Sequence, residues 1–217
     1  MIVLALDTCL PACSVALARD GEILGWLSEP TARGHQERLA PMTRDLMAAA
    51  GLAFSALDRI GVTVGPGSFT GLRVGLAFAK GLALALQRPC VGIGTLEALA
   101  ASIGGEDMKS GGLKAAVIDA GRGRVYLQLF DGAASLSGPD ILGLETAQAR
   151  LVEVCASADV MVTGPGADLL AGAIPGAVVR PLVAPDPRAV ARLAAKAPVA
   201  PPRPLYLRPP DATAKAA

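Results

Sequence analysis

The amino-acid sequence predicts an α/β protein built from two related half-domains. The chain opens with an apolar run at residues 2–6 and an alternating segment, followed by the Asp20-Gly21 pair that favours a two-residue hairpin turn. Each half opens with this strand-turn-strand pattern. Each later shows a strand followed by a Gly-Pro-Gly loop, at residues 65–67 and 164–166. This weak internal repeat predicts two half-domains of related α/β design.

Periodicity and capping signals predict the elements of the first half. Leu39, Met42 and Leu46 recur at three- and four-residue steps, which predicts a helix that begins close before Pro41. Thr95 is placed to cap a short helix. The predicted order is strands at 2–6, 12–18 and 22–27, a helix at 36–50, a strand at 59–64, a helix at 69–86, a strand at 89–93 and a helix at 95–102.

A polar, glycine-rich stretch at residues 104–112 marks the predicted boundary between the halves. We therefore expect half-domains at 1–103 and 104–217, the second smaller and less regular. Asp186 and Pro187 are placed as the N-cap and first residue of a late helix. The second half is predicted to contain strands at 114–119 and 124–130, a helix near 145–156, a strand at 160–163 and a helix at 186–197.

The counts of charged and metal-binding residues exclude several classes of function. The 20 Lys and Arg residues nearly balance 19 Asp and Glu residues, whereas proteins that bind nucleic acid by bulk charge have a basic excess. His35 is the single histidine, so two-histidine metal motifs are impossible and a Ser-His or Cys-His pair could use only this residue. The four cysteines are expected to be free thiols in a cytoplasmic protein. Lys80 interrupts the longest apolar stretch, so no membrane span is expected.

Residues 65–73, with the sequence GPGSFTGLR, are the most specific segment of the chain. A glycine loop that opens a helix can bind an anion through free N–H groups and the helix dipole. The Asp7-Thr8 pair after the first strand could face the same phosphate or its metal ion, so Asp7, Thr8, Gly67 and Ser68 are considered as nucleotide or anion contacts. The alternative is a tight turn that packs the strand against the helix.

The helix predicted after this loop has two distinct stripes of side chains. Gly71, Gly75, Ala79 and Ala83 form a small stripe at four-residue intervals, whereas Phe78, Leu82 and Leu86 form a bulky one. Each glycine inside a helix costs about 1 kcal/mol relative to alanine, so close approach of another backbone is a natural compensation. We expect the bulky stripe to pack on the sheet and the small stripe to meet a partner helix. The alternative is that the whole helix packs on its own sheet.

Several segments together resemble the TsaB (YeaZ) protein family. The resemblance is dense over the first 130 residues and sparse afterwards, and GPGSFTGLR is its most specific part. It is carried by residues 4–8 (LALDT), 12–17 (ACSVAL), 34–42 (GHQERLAPM), 65–73, 75–82 (GLAFAKGL), 92–99 (GIGTLEAL), 118–120 (IDA), 125–126 (VY) and 204–208 (PLYLR).

The resemblance implies an ASKHA fold, the architecture of actin, sugar kinases and Hsp70, with two related α/β half-domains whose mixed sheets are flanked by helices. It also implies a role in forming N6-threonylcarbamoyladenosine (t6A) in tRNAs that read codons beginning with A. The TsaB-like protein is then a non-catalytic partner of a TsaD-type transferase, with no metal or cofactor bound by this chain alone. The assembly would use ATP and threonylcarbamoyl-adenylate, include a TsaE-type ATPase and contact tRNA.

The family's pairing surface involves the helix after GPGSFTG, through which a homodimer is a further expectation. The interface residues expected from this resemblance and from the small stripe are Phe69, Gly71, Leu72, Gly75, Leu76, Ala79 and Ala83. No residue is expected to be catalytic. Two enzymatic alternatives stay open, namely a hydrolase of the M22 glycoprotease type and an ASKHA small-molecule kinase.

Overall fold

A computed structural model describes residues 1–31, 33–103, 112–155 and 160–207 of the chain, with the backbone alone at Cys155. Within these ranges the chain forms two mixed sheets and five α-helices. The predicted boundary at 104–112 falls almost entirely outside the described residues. The two-sheet architecture agrees with the predicted fold class.

The first sheet has strand β1 at its centre because this strand is apolar on both faces. β1 pairs antiparallel with β2 and parallel with β4, where Leu6 lies beside Val62. The predicted strands are all present, and β3 extends three residues beyond its predicted end. The sheet order β3-β2-β1-β4-β5 corresponds to Glu22–Pro30, Ala12–Arg19, Ile2–Asp7, Arg59–Thr63 and Cys90–Ile93.

Helices α1 (His35–Ala49) and α2 (Phe69–Leu86) cover one face of this sheet. Leu4, Leu6 and Val62 project from the strands into a buried cluster that includes Leu39 of α1 and Leu72 of α2. α2 is the one helix in the described part of the chain that is long and apolar enough, by length and composition, to cross a membrane. Some of its apolar residues pack against the sheet, and others are exposed to solvent.

The second sheet repeats the pairing pattern of the first. β6 pairs antiparallel with β7 and parallel with β10, as β1 does with β2 and β4. Ala147 and Leu151 of helix α4 (Leu144–Cys155) pack on one face of the sheet, in a cluster separate from that of the first half. The strands are β6 Leu113–Gly121, β7 Arg124–Asp131, β8 Ala134–Ser135, β9 Asp140–Gly143, β10 Val160–Thr163 and β11 Val178–Arg180.

The remaining two helices pack on the sheet of the opposite half. Helix α3 (Thr95–Ala101) follows the first sheet but buries Leu96 and Leu99 against Ala116 and Ile118 of the second. Helix α5 (Pro187–Lys196) follows the second sheet but packs on the alanine-rich outer face of the first. A division of the chain at residue 103 therefore separates α5 from the sheet that it covers.

The predicted start of α1 is nearly confirmed, whereas the predicted cap of α3 is wrong. α1 begins at His35, one residue before its predicted start, and the αL residue Gly34 accepts hydrogen bonds from the N–H groups of Glu37 and Arg38 at 3.2 and 3.3 Å. Thr95 is not the cap of α3 but its first residue, and Gly94 holds the N-cap position. By contrast, Asp186 caps α5 with Pro187 at its first turn, as predicted.

Candidate functional site

The turn after β1 and the glycine loop after β4 lie side by side, because these strands are parallel neighbours. A Cβ atom at Gly67 would lie 2.2 Å from the carbonyl oxygen of Cys9, so only glycine allows this contact. The N–H of Ser68 donates to the same oxygen at 2.7 Å, and its side chain accepts from the N–H of Gly71 at 3.2 Å. These N–H groups at the start of α2 are therefore engaged by the chain itself. Gly67 is half-buried and Ser68 is exposed, and anion contact at these two residues stays a prediction.

Asp7 is completely buried at the end of β1. Its Oδ1 accepts hydrogen bonds from the Thr63 hydroxyl at 2.5 Å and from the Cys9 N–H at 3.1 Å, while its Oδ2 has no partner among the described residues. Burial raises the pKa of this carboxyl, against the opposing effect of the Thr63 hydrogen bond. One oxygen of Asp7 thus joins β1 to β4, and nucleotide contact at this residue stays a prediction.

Thr8 connects the same turn to α2. It is buried, and its hydroxyl donates to the carbonyl oxygen of Gly71 at 2.7 Å. Added Cβ atoms at Gly71 and Gly75 would lie 2.0 Å from the Thr8 carbonyl oxygen and 2.5 Å from its hydroxyl oxygen. Both glycines are therefore needed for α2 to approach the end of β1. The side chain of Thr8 is occupied inside the chain, and its predicted contact with a phosphate remains untested.

The small stripe of α2 faces the interior of this chain. Gly71, Gly75, Ala79 and Ala83 are all buried, as are Leu72 and Leu76 beside them. The bulky stripe predicted to pack on the sheet is only half-buried. The assignment of the two stripes to their faces is therefore wrong: the close approach that offsets the glycines comes from Thr8, in the chain's own turn after β1. Among the predicted interface residues, Phe69 alone is exposed.

A different side of α2 is turned toward solvent, and we call its exposed residues the outer face of α2. Leu84 has 81% of its surface exposed, and a Cβ atom added at Gly81 would have nothing within 4 Å. Sequence reasoning missed this face, although Ala77, Gly81 and Ala85 also recur at four-residue intervals. The outer face consists of Phe69, Thr70, Arg73, Ala77, Lys80, Gly81, Leu84 and Ala85.

An aromatic cluster lies at the first turn of α2. The guanidinium carbon of Arg73 is 3.7 Å from the ring centroid of Phe69, and the Phe69 ring lies 5.5 Å from that of Tyr206. Tyr206 is positioned by its neighbour Leu205, whose N–H donates to the carbonyl oxygen of Val64 at 2.7 Å. Tyr206 thus lies next to the outer face of α2 and extends its exposed surface.

The glycine loop of the second half lies against β6, as the first loop lies against the turn after β1. A Cβ atom added at Gly164 would lie 2.3 Å from the carbonyl oxygen of Val117, and one added at Gly166 would lie 2.7 Å from the backbone nitrogen of Asp119. Asp119 is exposed, and its Oδ1 accepts a hydrogen bond from the N–H of Gly121 at 2.7 Å, whereas Asp7 is buried. The Thr163 hydroxyl is buried and has no hydrogen-bond partner among the described residues. The two glycine loops are therefore related in backbone position but differ in their polar side chains.

His35, Cys9 and Cys13 are buried in the protein interior. His35 is buried at the start of α1, with Nε2 3.3 Å from the carbonyl oxygen of Leu10. Burial raises the pKa of the Cys9 thiol to about 12 and that of Cys13 to about 11, which keeps both thiols protonated. In the described ranges, no three His, Cys, Asp or Glu side chains form a group able to hold a metal ion.

Comparison with known proteins bears out the predicted fold. A crystal structure of ROK hexokinase from Thermus thermophilus superimposes with a TM-score of 0.52 at 16% identity, over 90% of this chain and 98% of that one. At this identity the match concerns the fold alone. It confirms the ASKHA architecture of two related half-domains.

More similar proteins identify the family. The sequence model described as "TsaD: tRNA N6-adenosine threonylcarbamoyltransferase" matches residues 22–202. The tRNA threonylcarbamoyladenosine biosynthesis protein TsaB of Escherichia coli is 39% identical over 58% of this chain and 53% of its own length. The chain spans about half the length of the curated TsaB relatives it matches.

A crystal structure from Pseudomonas aeruginosa extends the similarity to almost the whole chain. Its protein, described as similar to peptidase YEAZ, is 33% identical over 95% of this chain and 99% of that one, with a TM-score of 0.83. The TsaD-type sequence model covers most of the same range. The chain therefore belongs to the TsaB/YeaZ proteins of the TsaD family.

Proposed function

We propose that this chain is a non-catalytic subunit of the assembly that forms N6-threonylcarbamoyladenosine in tRNA, and that it binds a TsaD-type catalytic protein through the outer face of α2. The names of its TsaB relatives and the TsaD family match support the pathway. The observation that carries the docking surface is the exposure of apolar residues on α2, above all Leu84 and Phe69. Exposed apolar patches of this kind are typical of protein interfaces.

The outer face suits close contact with a second helix. The centre of the face has small side chains, at Ala77, Gly81 and Ala85, so the backbone of a partner helix can approach closely. Leu84 and Phe69 are exposed apolar side chains that such a partner can bury. Burial of these two side chains would contribute roughly 1.5–3 kcal/mol each. We therefore propose that a partner helix packs on Ala77, Gly81 and Ala85, and not on the buried small stripe.

In this proposal the chain activates its partner by favouring one of the partner's conformations. Docking can shift such an equilibrium only by the difference in affinity for the two states. Catalysis, ATP and threonylcarbamoyl-adenylate would belong to the TsaD-type protein and a TsaE-type ATPase, and tRNA would be met through the assembly in the cytoplasm. A homodimer through the same face would compete with the partner.

A leucine substitution at Gly81 of α2 tests the docking surface. Gly81→Leu should leave the chain folded, because the space around this residue is open, and should abolish binding to the TsaD-type protein of the same organism. Binding would be measured by isothermal titration calorimetry. Ala49→Leu, at an exposed position near the end of α1, is the control for an added surface leucine. Unchanged affinity of Gly81→Leu would remove α2 from the interface.

Depletion of the protein in cells tests its proposed role in t6A formation. Depletion of this protein in its own organism should lower t6A in bulk tRNA, as quantified by nucleoside mass spectrometry. The wild-type gene and a His35→Asn variant should both restore the modification, whereas Gly81→Leu should not. A normal t6A level after depletion would overturn the pathway assignment and favour the hydrolase or kinase alternatives, which predict activity of the isolated chain.

A further inference from the structure

The outer face of α2 carries positive charge without any negative charge. Between residues 59 and 96 the sequence contains no Asp or Glu, and its basic residues are Arg59, Arg73, Lys80 and Arg88. Arg59 is used inside the protein, where its Nη1 donates to three carbonyl oxygens at the end of α5. The other three are exposed. Within the described residues, none of these three forms an ion pair.

The side chain of Arg73 is held in place by aromatic contacts. The Arg73 guanidinium stacks on Phe69, which packs against Tyr206, and the hydrogen bond from Leu205 to Val64 fixes the segment that carries Tyr206. Stacking on a ring leaves the N–H groups at the edge of the guanidinium available for a carboxylate. A side chain that is already ordered loses less conformational entropy when it binds.

We propose that the outer face of α2 recognises a different protein whose docking surface carries carboxylates opposite Arg73 and Lys80, and that the same charges oppose pairing between two copies of this chain. The inference rests on the proposed function, since it takes this face as the docking surface. Charge complementarity selects among partners because like charges brought together at an interface are unfavourable. The face therefore favours the heterologous complex over the homodimer.

The apolar content of the face favours a protein over RNA as the occupant. Leu84 is 81% exposed and lies one residue from Ala85 and four from Lys80, so the cations border an apolar surface. Proteins that bind nucleic acid by charge neutralise roughly 6–10 phosphates, whereas this region offers Arg73, Lys80 and Arg88. Few charges beside exposed apolar side chains are typical of a protein interface.

Charge reversal at Lys80 tests the inference, with Arg192→Glu as the matched control. Both residues are exposed on helices, so the two substitutions change the net charge equally on different surfaces. Lys80→Glu should weaken binding to the TsaD-type protein about tenfold at low salt, and the loss should shrink at high salt. Arg192→Glu should change the affinity by less than about twofold. Sedimentation velocity of the isolated chain should show more self-association for Lys80→Glu than for the wild type.

The outcomes separate this inference from the proposed function. If Gly81→Leu abolishes binding while Lys80→Glu binds normally, α2 docks the partner but the charge inference is overturned. If neither substitution reduces binding, both proposals fall. Unchanged self-association of Lys80→Glu would refute the claim that charge opposes the homodimer. Binding of tRNA alone to the isolated chain, lost in Lys80→Glu but not in Arg192→Glu, would make RNA the occupant and overturn the inference.

Discussion

The hydroxyl of Thr8 donates a hydrogen bond to the carbonyl oxygen of Gly71 at 2.7 Å and thereby joins the turn after β1 to the first turn of α2. The pair lies 63 residues apart in sequence and is buried. Since the backbone of Thr8 also touches Gly71, this contact fixes how α2 sits on the first sheet. The position of the outer face consequently depends on a residue on the opposite side of the helix.

Thr8→Val should weaken this junction. Valine keeps the shape of threonine but loses the donor, so we expect the free energy of unfolding to fall by about 1–3 kcal/mol. Urea denaturation followed by circular dichroism would measure it. Thr8→Ser retains the hydroxyl and should lose less. A larger loss in Thr8→Ser than in Thr8→Val would show that the methyl group, and not the hydrogen bond, matters.

The same substitution on opposite faces of α2 should have opposite effects. Gly71→Ala would place a Cβ atom 2.0 Å from the Thr8 carbonyl oxygen, whereas Gly81→Ala meets nothing within 4 Å. We expect Gly71→Ala to destabilise the protein by at least about 3 kcal/mol and Gly81→Ala to stabilise it by about 0.5–1 kcal/mol. Thermal unfolding of both variants is the measurement. A stable Gly71→Ala protein would contradict the packing of α2 described above.

Arg59 should contribute to the attachment of α5. Its Nη1 donates to the carbonyl oxygens of Ala194, Ala195 and Ala197 at 2.8, 3.1 and 2.9 Å. Arg59→Met removes these bonds and should lower the free energy of unfolding by about 2 kcal/mol or more. Hydrogen exchange should then show faster exchange in α5. Arg59→Lys keeps a charge that can reach fewer carbonyls, so its effect should be intermediate; exchange in α5 as slow as in the wild type would refute the role.

The buried carboxyl of Asp7 should make stability depend on pH. Because burial raises its pKa in the folded state, the folded protein holds this proton more tightly than the unfolded chain. The contribution of Asp7 to stability is therefore greatest at acid pH and decreases as the pH rises through the folded-state pKa. Each unit of upward shift corresponds to about 1.4 kcal/mol at neutral pH.

Asp7→Asn removes the charge but keeps an oxygen that can accept from Thr63 and Cys9. We expect this variant to be more stable than the wild type at neutral pH, with a difference that shrinks toward pH 4. Denaturation at several pH values would measure the difference. Asp20→Asn is a suitable control, because this exposed carboxylate pairs with the N-terminal amine and its pKa is lowered. A constant difference across pH would show that Asp7 does not titrate as proposed.

The sequence predicts the elements better than the way they pack. Alternation, the Asp20-Gly21 turn and the Asp186-Pro187 cap act over a few residues, and the structure has the strands and helices they indicate. The orientation of α2 depends on Thr8, which is distant in sequence, and periodicity alone cannot say which of two small stripes meets it. The repeated Gly-Pro-Gly loop correctly indicated two related halves.

The exchange of α3 and α5 between the sheets has a consequence for the half-domains as independent units. A fragment ending at residue 103 would expose Val3, Ala5, Ala16 and Ala18, which α5 now covers. The remaining fragment would expose Ala116 and Ile118 of the second sheet, which α3 now covers. Although each half repeats the other's strand pairing, we expect neither to fold on its own. The two fragments should aggregate when expressed separately and regain a native spectrum only when expressed together.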